Sequence, residues 1–331
     1  MKKTLYLFSN GQIKRKDNTI FFDNDDGSRK YLPIENVKEI FCFGEVTLNK
    51  KFLNYMSQKE ILIHYFNYYE YYSGTFYPRE HYNSGYMILK QAEYYNNPEK
   101  RKELAISFVE GASKNALKIL KYYQRRGSEV LEKVNKIEDF LNILKEQKRV
   151  EQVMAIEGNI KNTYYEAFDD IINNKTFEFV ERTRRPPKNR INALISFANS
   201  IIYTCCLGEI YQTHLDPRIG YLHTTNFRRF TLNLDVAEIF KPVIGDRTIF
   251  SIINKGILKA NHFEKGLKGT VLNESGRKIF LKELENTFSR TIKHGNLKRK
   301  VSYRRLIRLE LYKLEKHFMG EKDYKPFVME Y

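Results

Sequence analysis

The chain has no tryptophan and only three cysteines, Cys42, Cys205 and Cys206. Two of these are adjacent and no Cys-x-x-Cys pair exists, which excludes a disulfide framework and a cysteine-built zinc finger and implies a reduced, intracellular protein. Apolar runs never reach the roughly 18 residues of a membrane span. The opening MKKTLYLFSNG also lacks the apolar stretch of about 7–15 residues that marks a signal peptide, so a cytoplasmic protein without membrane association is expected. Acid is in short supply, with 40 Asp/Glu against 57 Lys/Arg and a formal charge of +17. The imbalance is uneven: residues 1–85 carry 12 cations and 10 anions, the remainder 45 and 30. A polyanionic partner is therefore expected at the second part. The competing explanation is that the basic surface serves solubility or reflects the composition of an AT-rich genome.

What is present is aromatic and apolar: 24 Tyr, 23 Phe and 42% hydrophobic residues, enough for two ordered domains across 331 residues. Residues 1 to about 85 read as strands at Thr4–Phe8, Lys14–Phe22, Arg29–Ile34, Val37–Phe43 and Ile61–Phe66. Turns rich in Gly, Asn and Asp separate them, and one short helix covers Leu48–Lys59. From about residue 86 the apolar period becomes helical, over Tyr86–Tyr95, Lys100–Arg126, Ser128–Glu146, Gln147–Asn173, Ile191–His214 and Tyr303–Phe318. The expected class is α+β: a small, β-sandwich-like domain over 1–85, then a larger all-α domain over 86–331, joined through Gly74–Gly85.

Several polar residues interrupt this pattern. Glu157 falls on the apolar stripe Val150, Val153, Met154, Ile160 or Lys161, Tyr164 and Phe168. A carboxylate there is costly unless paired, hydrogen-bonded or bound to a metal, so a buried salt bridge to an arginine and a metal ligand are both open. His223 follows the turn Asp216-Pro217-Arg218-Ile219-Gly220. A neutral imidazole suits borderline metals such as Mn²⁺, although a lone histidine is more often structural. Asp216 is read as bracing the turn. Asp235 and Glu238 lie three apart on one helical face, just before Pro242. Glu238 is favoured as a ligand, with Asp235 as helix cap, supporting residue or occasional co-ligand. Two carboxylates, one histidine and no thiolate suit Mn²⁺ or Mg²⁺ in phosphoryl transfer. The loop Glu181–Arg190 carries Arg182, Arg184, Arg185, Lys188 and Arg190 around Pro186-Pro187, a stiff cationic segment suited to phosphate. The late helix carries Arg304, Arg305, Arg308, Lys313 and Lys316 opposite Leu306, Ile307, Leu311 and Leu314.

Taken together, Glu157-Gly158, the Arg-Arg-Pro-Pro loop, Asn192–Phe197, Leu215-Asp216-Pro217-x-x-Gly220-x-Leu222-His223 and Leu234-Asp235-x-x-Glu238-x-Phe240-Lys241-Pro242 resemble the CRISPR-associated Cas-one family, the integrase that inserts new spacers in antiviral defence. The motifs span roughly residues 150–245, and the β-then-helical layout fits nearly the whole chain. The resemblance implies an N-terminal β domain used in dimerisation, and a helical catalytic domain with one metal site per subunit. Glu157, His223 and Glu238 stand at the metal-ligand positions and Asp235 at an accessory catalytic one. Lys241 stands where arginine is common, which puts a bidentate contact there in doubt. The implied reaction is transesterification, in which the 3′-hydroxyl of a DNA duplex attacks a phosphodiester at the leader-repeat junction. Nicking of branched DNA without a partner is also implied. Arg182, Arg184, Arg185, Lys188, Arg304, Arg305 and Arg308 would hold the DNA backbone. The implied partners are double-stranded and branched DNA, a second copy of the chain, and a dimer of the small Cas-two protein in a heterohexamer. The rival readings are a non-catalytic basic scaffold and a metal-dependent nuclease acting on RNA.

Overall fold

In the computed structural model, residues 2–17, 19–79, 82, 84–172, 174–225, 230–266, 269–295 and 297–330 are described. The chain divides into two units, Met1–His81 and Tyr82–Tyr331. The first holds β1 (Lys3–Leu7), β2 (Gly11–Lys16), β3 (Thr19–Asn24), β4 (Arg29–Leu32), β5 (Val37–Cys42), β6 (Val46–Thr47), α1 (Lys50–Lys59), β7 (Leu62–Phe66) and β8 (Tyr72–Phe76). Two four-stranded sheets result, ordered β1-β5-β7-β8 and β4-β3-β2-β6. β5 pairs in parallel with both β1 and β7, and nearly every one of its residues is buried. Burial on both faces explains why Ile40, Phe41 and Cys42 follow one another without alternation, and it encloses Glu39 as well. Ile13, Ile20, Ile40, Ile63, Phe52 and Met56 are central members of the core of this unit. α1 starts where the Asn49 side chain accepts the Phe52 amide at 2.9 Å. It buries Phe52, Tyr55 and Met56, three and four apart on one face.

The stretch read as one strand over Lys14–Phe22 is instead the end of β2 and the start of β3. The chain reverses at Asp17, whose φ of 55° is left-handed. β6 and β8 escape a reading based on alternation: β6 has two residues, and β8 runs through Ser73-Gly74-Thr75, so the expected linker at 74–85 begins inside a strand.

The second unit holds α2 (Gly85–Asn96), α3 (Pro98–Gln124), α4 (Leu131–Leu144), α5 (Val150–Glu166), α6 (Phe168–Ile172), α7 (Arg190–Ile210), α8 (Leu232–Phe240), α9 (Arg247–Asn254), β9 (Phe263–Lys265), β10 (Thr270–Leu272), α10 (Glu274–Ser289), β11 (Thr291–His294), β12 (Arg299–Ser302) and α11 (Tyr303–Phe318). It is therefore not all-α: β9 with β10 and β11 with β12 form antiparallel pairs of three or four residues, too short to show a period in sequence. Of the expected linker 74–85, residues 80, 81 and 83 lie outside the described residues.

α7 is long and apolar enough by composition to cross a membrane, yet 78% of that window is buried inside the protein, so it is a core helix. α8 packs in the same core with all but one residue buried. Pro242 has no amide to give the carbonyl four residues back, and the chain runs from α8 into α9 through a π-helical segment, Lys241–Asp246. Asn115 of α3, fully buried, donates to the carbonyls of Ile239 at 2.9 Å and Phe327 at 3.0 Å. It thus fixes the end of α8 and an extended C-terminal segment together.

Candidate active site

Two helices bring carboxylates to one small cavity. Glu157 projects from α5, Glu238 from α8, and Lys161 lies one turn beyond Glu157. Lys161 forms ion pairs with both carboxylates, the one to Glu238 at 2.8 Å. Lys241 contacts the other oxygen of Glu238 at 2.6 Å, and its ammonium lies 4.5 Å from the centre of the Tyr203 ring. Glu238 is 2% exposed, while Glu157 and Lys161 keep 17% and 22% of their side chains open. A cavity of about 40 Å³ is lined by Glu157, Lys161, Tyr164, Tyr165, Glu238 and Lys241 among others, room for a few waters or a hydrated ion.

The electrostatics follow from this packing. Burial alone would raise the Glu238 carboxyl, but Lys161, Lys241 and then His223 outweigh it and hold the group well below the usual carboxylate range. Burial pushes the Lys161 ammonium down, but Glu238 and Glu157 prevail and hold it well above the usual lysine range. Asp246, also lining the cavity, is pushed up to about 7 by burial, against the pull of Lys241. The charge of the cavity is thus set mainly by Glu157 and Glu238 against Lys161 and Lys241.

His223 is placed by Asp235, which is completely buried. One oxygen of Asp235 accepts the amides of Tyr221 at 2.5 Å and Leu222 at 3.1 Å. The other accepts the amide of His223 at 3.0 Å and meets its Nδ1 at 2.7 Å. An ionised carboxylate can only accept, so Nδ1 donates to Asp235, and Nε2 is the ring nitrogen left for a ligand when the ring is neutral. The loop is anchored further by Gly220, where a Cβ would come within 2.8 Å of Thr231. Arg101 adds a bond from its Nε to the Tyr221 carbonyl at 3.1 Å. Asp235 is not the cap of α8, as its position in the first turn suggested; Thr231 stands at the cap. Asp216 does brace its turn, accepting the Arg218 amide at 2.8 Å.

The donor set fits a hard or borderline divalent cation in kind: two carboxylates and an imidazole with a free Nε2, no thiolate. Among the described residues, however, no three His, Cys, Asp or Glu side chains are gathered as a ready-made metal cluster. Instead the Lys161 ammonium lies between the two glutamates, and His223 is not among the residues lining their cavity. The salt bridge weighed for Glu157 is therefore real, with this lysine rather than an arginine. Two carboxylates sharing one monovalent ammonium form a site that a doubly charged ion can contest.

The basic residues separate into two groups. In the 181–190 loop, Arg182 points inward and donates to Asn192 Oδ1 at 2.8 Å and Ser196 Oγ at 3.1 Å. Its guanidinium lies 5.9 Å from the Tyr165 ring, so the loop root adjoins the cavity. Arg184, Arg185 and Lys188 are exposed. The loop is also fastened to β10, where the Thr270 amide donates to the Pro187 carbonyl at 2.9 Å. Only glycine fits at 269, since a Cβ would lie 2.5 Å from that carbonyl oxygen. On α11, Arg304 and Arg308 correct the expectation of an open basic face: both turn to the buried Glu209 of α7, at 3.1 Å and 2.6 Å. Removing Glu209 would take from Arg308 its buried acid and leave Arg304 with Glu285 at 3.9 Å, so Glu209→Ala should lower the unfolding free energy by about 3 kcal/mol in urea melts. Arg305 remains exposed. Lys161 is the site residue that motif reading passed over. The signal was its position one helical turn after a buried acid.

A model of the CRISPR associated protein Cas1 family matches residues 5–286 of this chain. A protein named CRISPR-associated endonuclease Cas1 2, from Thermodesulfovibrio yellowstonii, is 60% identical over 328 residues, 99% of either chain. A CRISPR-associated endonuclease Cas1 from Thermotoga maritima is 49% identical over 320 residues, 97% of this chain and 98% of the relative. The solved structure of a Cas1 protein from Thermotoga maritima superposes with a TM-score of 0.89 at 46% identity, covering 98% of this chain and 99% of that one. A casposase bound to its integration product shares the fold at a TM-score of 0.89 and 20% identity, over 99% and 93% of the two chains. The chain belongs to the Cas1 family.

Proposed function

We propose that this protein is a divalent-metal-dependent DNA endonuclease and integrase that inserts spacers into a CRISPR array. The observation that carries the reading is the meeting of Glu157 and Glu238 on a single cationic group, in a unit that also holds an imidazole fastened through Nδ1 to Asp235. The relatives named as CRISPR-associated endonucleases, at 60% and 49% identity, support the same reaction class.

Glu157, His223 and Glu238 would hold Mn²⁺ or Mg²⁺, with Asp235 fixing the imidazole. The ion would polarise the phosphate and stabilise charge developing on its oxygens. The chain's own residues do the rest. Asp235 keeps Nδ1 protonated and aims Nε2. Lys161 and Lys241 hold Glu238 ionised, and both bring ammonium donors beside the cavity, where phosphate charge can be met. Arg184, Arg185 and Lys188 bind the backbone of the duplex, positioning DNA without reading its sequence. In the joining reaction the attacking 3′-oxygen bonds to phosphorus, the bond to the leaving 3′-oxygen breaks, the proton of the attacking hydroxyl passes to solvent, and the leaving oxygen takes a proton from solvent to become a new 3′-hydroxyl. Branched DNA cut by water in place of that hydroxyl gives nicking. The fold recurs in a Cas6-RT-Cas1–Cas2 complex, with a TM-score of 0.86 at 16% identity. We further propose, on the motif resemblance, a homodimer that assembles with a small Cas2 dimer in a cytoplasmic heterohexamer.

Branched DNA incubated with the protein and Mn²⁺ should be cut, and excess EDTA should abolish cutting. Cutting that persists unchanged in EDTA would end the metal reading.

A further inference from the structure

The antiparallel pair β11 and β12 carries a charge arrangement that the active site does not use. Lys293 stands opposite Lys300. Like charges facing one another across a strand pair destabilise it. No acidic residue occurs from 286 to 309, a stretch with eight Lys and Arg. Among the described residues, none of Lys293, Lys298, Arg299 and Lys300 is paired with an acid, and all four are exposed. Many other lysines of the chain do have acid partners, as Lys90, Lys100 and Lys121 show.

The ribbon is nevertheless well built. Its base is closed by the Tyr303 amide donating to the Arg290 carbonyl at 3.0 Å. Val301 is 4% exposed and, with its cross-strand neighbour Ile292, seats one face on the protein. Residues alternate sides along a strand, so Lys293 and Lys300 share the opposite, solvent face. A two-stranded ribbon anchored by one face, with an unneutralised cation pair on the other, is configured for a line of negative charge.

We infer that the β11–β12 hairpin is a clamp on the sugar-phosphate backbone of duplex DNA, with Lys293 and Lys300 each meeting a phosphate. The inference rests on the DNA reading above and assigns this ribbon a contact separate from the cavity and the 181–190 loop.

The test is duplex binding by fluorescence anisotropy over a salt series, comparing the wild type with Lys293→Glu/Lys300→Glu. A matched control, Lys16→Glu/Lys30→Glu, makes the same change in net charge in the N-terminal unit. Each phosphate contact contributes about 0.9 to the slope of log K against log salt. Losing two should make the slope shallower by about 2, with affinity roughly 50-fold lower at 0.1 M salt and the curves converging near 1 M. The control should follow the wild type. Lys293→Glu alone places a carboxylate opposite Lys300 and so strengthens the ribbon. Its melting temperature should hold or rise while DNA affinity falls, an outcome that a purely structural role does not produce. An unchanged slope in the double variant, or an equal loss in the control, overturns the clamp while leaving the catalytic reading intact. A wild type that binds single-stranded RNA but no duplex DNA overturns both.

Discussion

Glu157→Ala should lower cleavage and joining of DNA by at least about 10³-fold, since loss of a ligand forfeits several kcal/mol of transition-state charge stabilisation. Duplex affinity should not weaken. The substitution removes a negative charge from a basic protein, and Lys161 still has Glu238 at 2.8 Å, so no ammonium is stranded and the fold is retained. The measurement is single-turnover cleavage in Mn²⁺ beside anisotropy with the same duplex. A variant that binds and cuts at the wild-type rate removes Glu157 from the site. A variant that loses binding as well as cutting points to damage beyond the ligand set.

Asp235→Asn should also lower activity, although Asp235 is completely buried and does not line the cavity. Its two oxygens satisfy three successive amides and the Nδ1 of His223. An amide side chain keeps the size but offers only one accepting oxygen, and its NH₂ would face an amide hydrogen or the imidazole. The ring then loses the partner that fixes its tautomer, and the loop loses part of its brace. Supporting contacts of this kind are typically worth about 10–100-fold in metal affinity or activity, so at least that loss is expected in Mn²⁺ titrations of cleavage. Because the tautomer is lost rather than the ligand, raised Mn²⁺ should recover part of the activity of Asp235→Asn and none for His223→Ala. Equal behaviour of the two variants would mean that Asp235 acts some other way.

Much of the fold is legible because burial writes a period into the sequence. The helices at Lys100–Arg126 and Tyr303–Phe318 match α3 and α11 to within two residues at either end. The two hairpins of the second unit are too short to write one. Glu157 stands out because a carboxylate on an apolar stripe must be explained. Met154, placed on the same stripe, is instead 39% exposed. The partnership of Lys161 with Glu238, and that of Arg304 and Arg308 with Glu209, join side chains far apart in the chain. No local pattern carries such contacts. An amphipathic helix with arginines on its polar side looks the same whether those arginines face solvent or a buried glutamate on another helix. Asp235 shows the converse case: its place in a first turn suggested a cap, while the loop folded above it supplied stronger claims on both oxygens.

The account turns on a divalent ion replacing the ammonium of Lys161 between Glu157 and Glu238. A crystal structure grown in Mn²⁺, with anomalous diffraction recorded at the manganese edge, tests this most directly. The account predicts one strong peak bonded to Glu157, Glu238 and the Nε2 of His223, with Lys161 withdrawn from between the two carboxylates. A map in which Lys161 still bridges both glutamates at saturating Mn²⁺, with no peak at the three side chains, would contradict it.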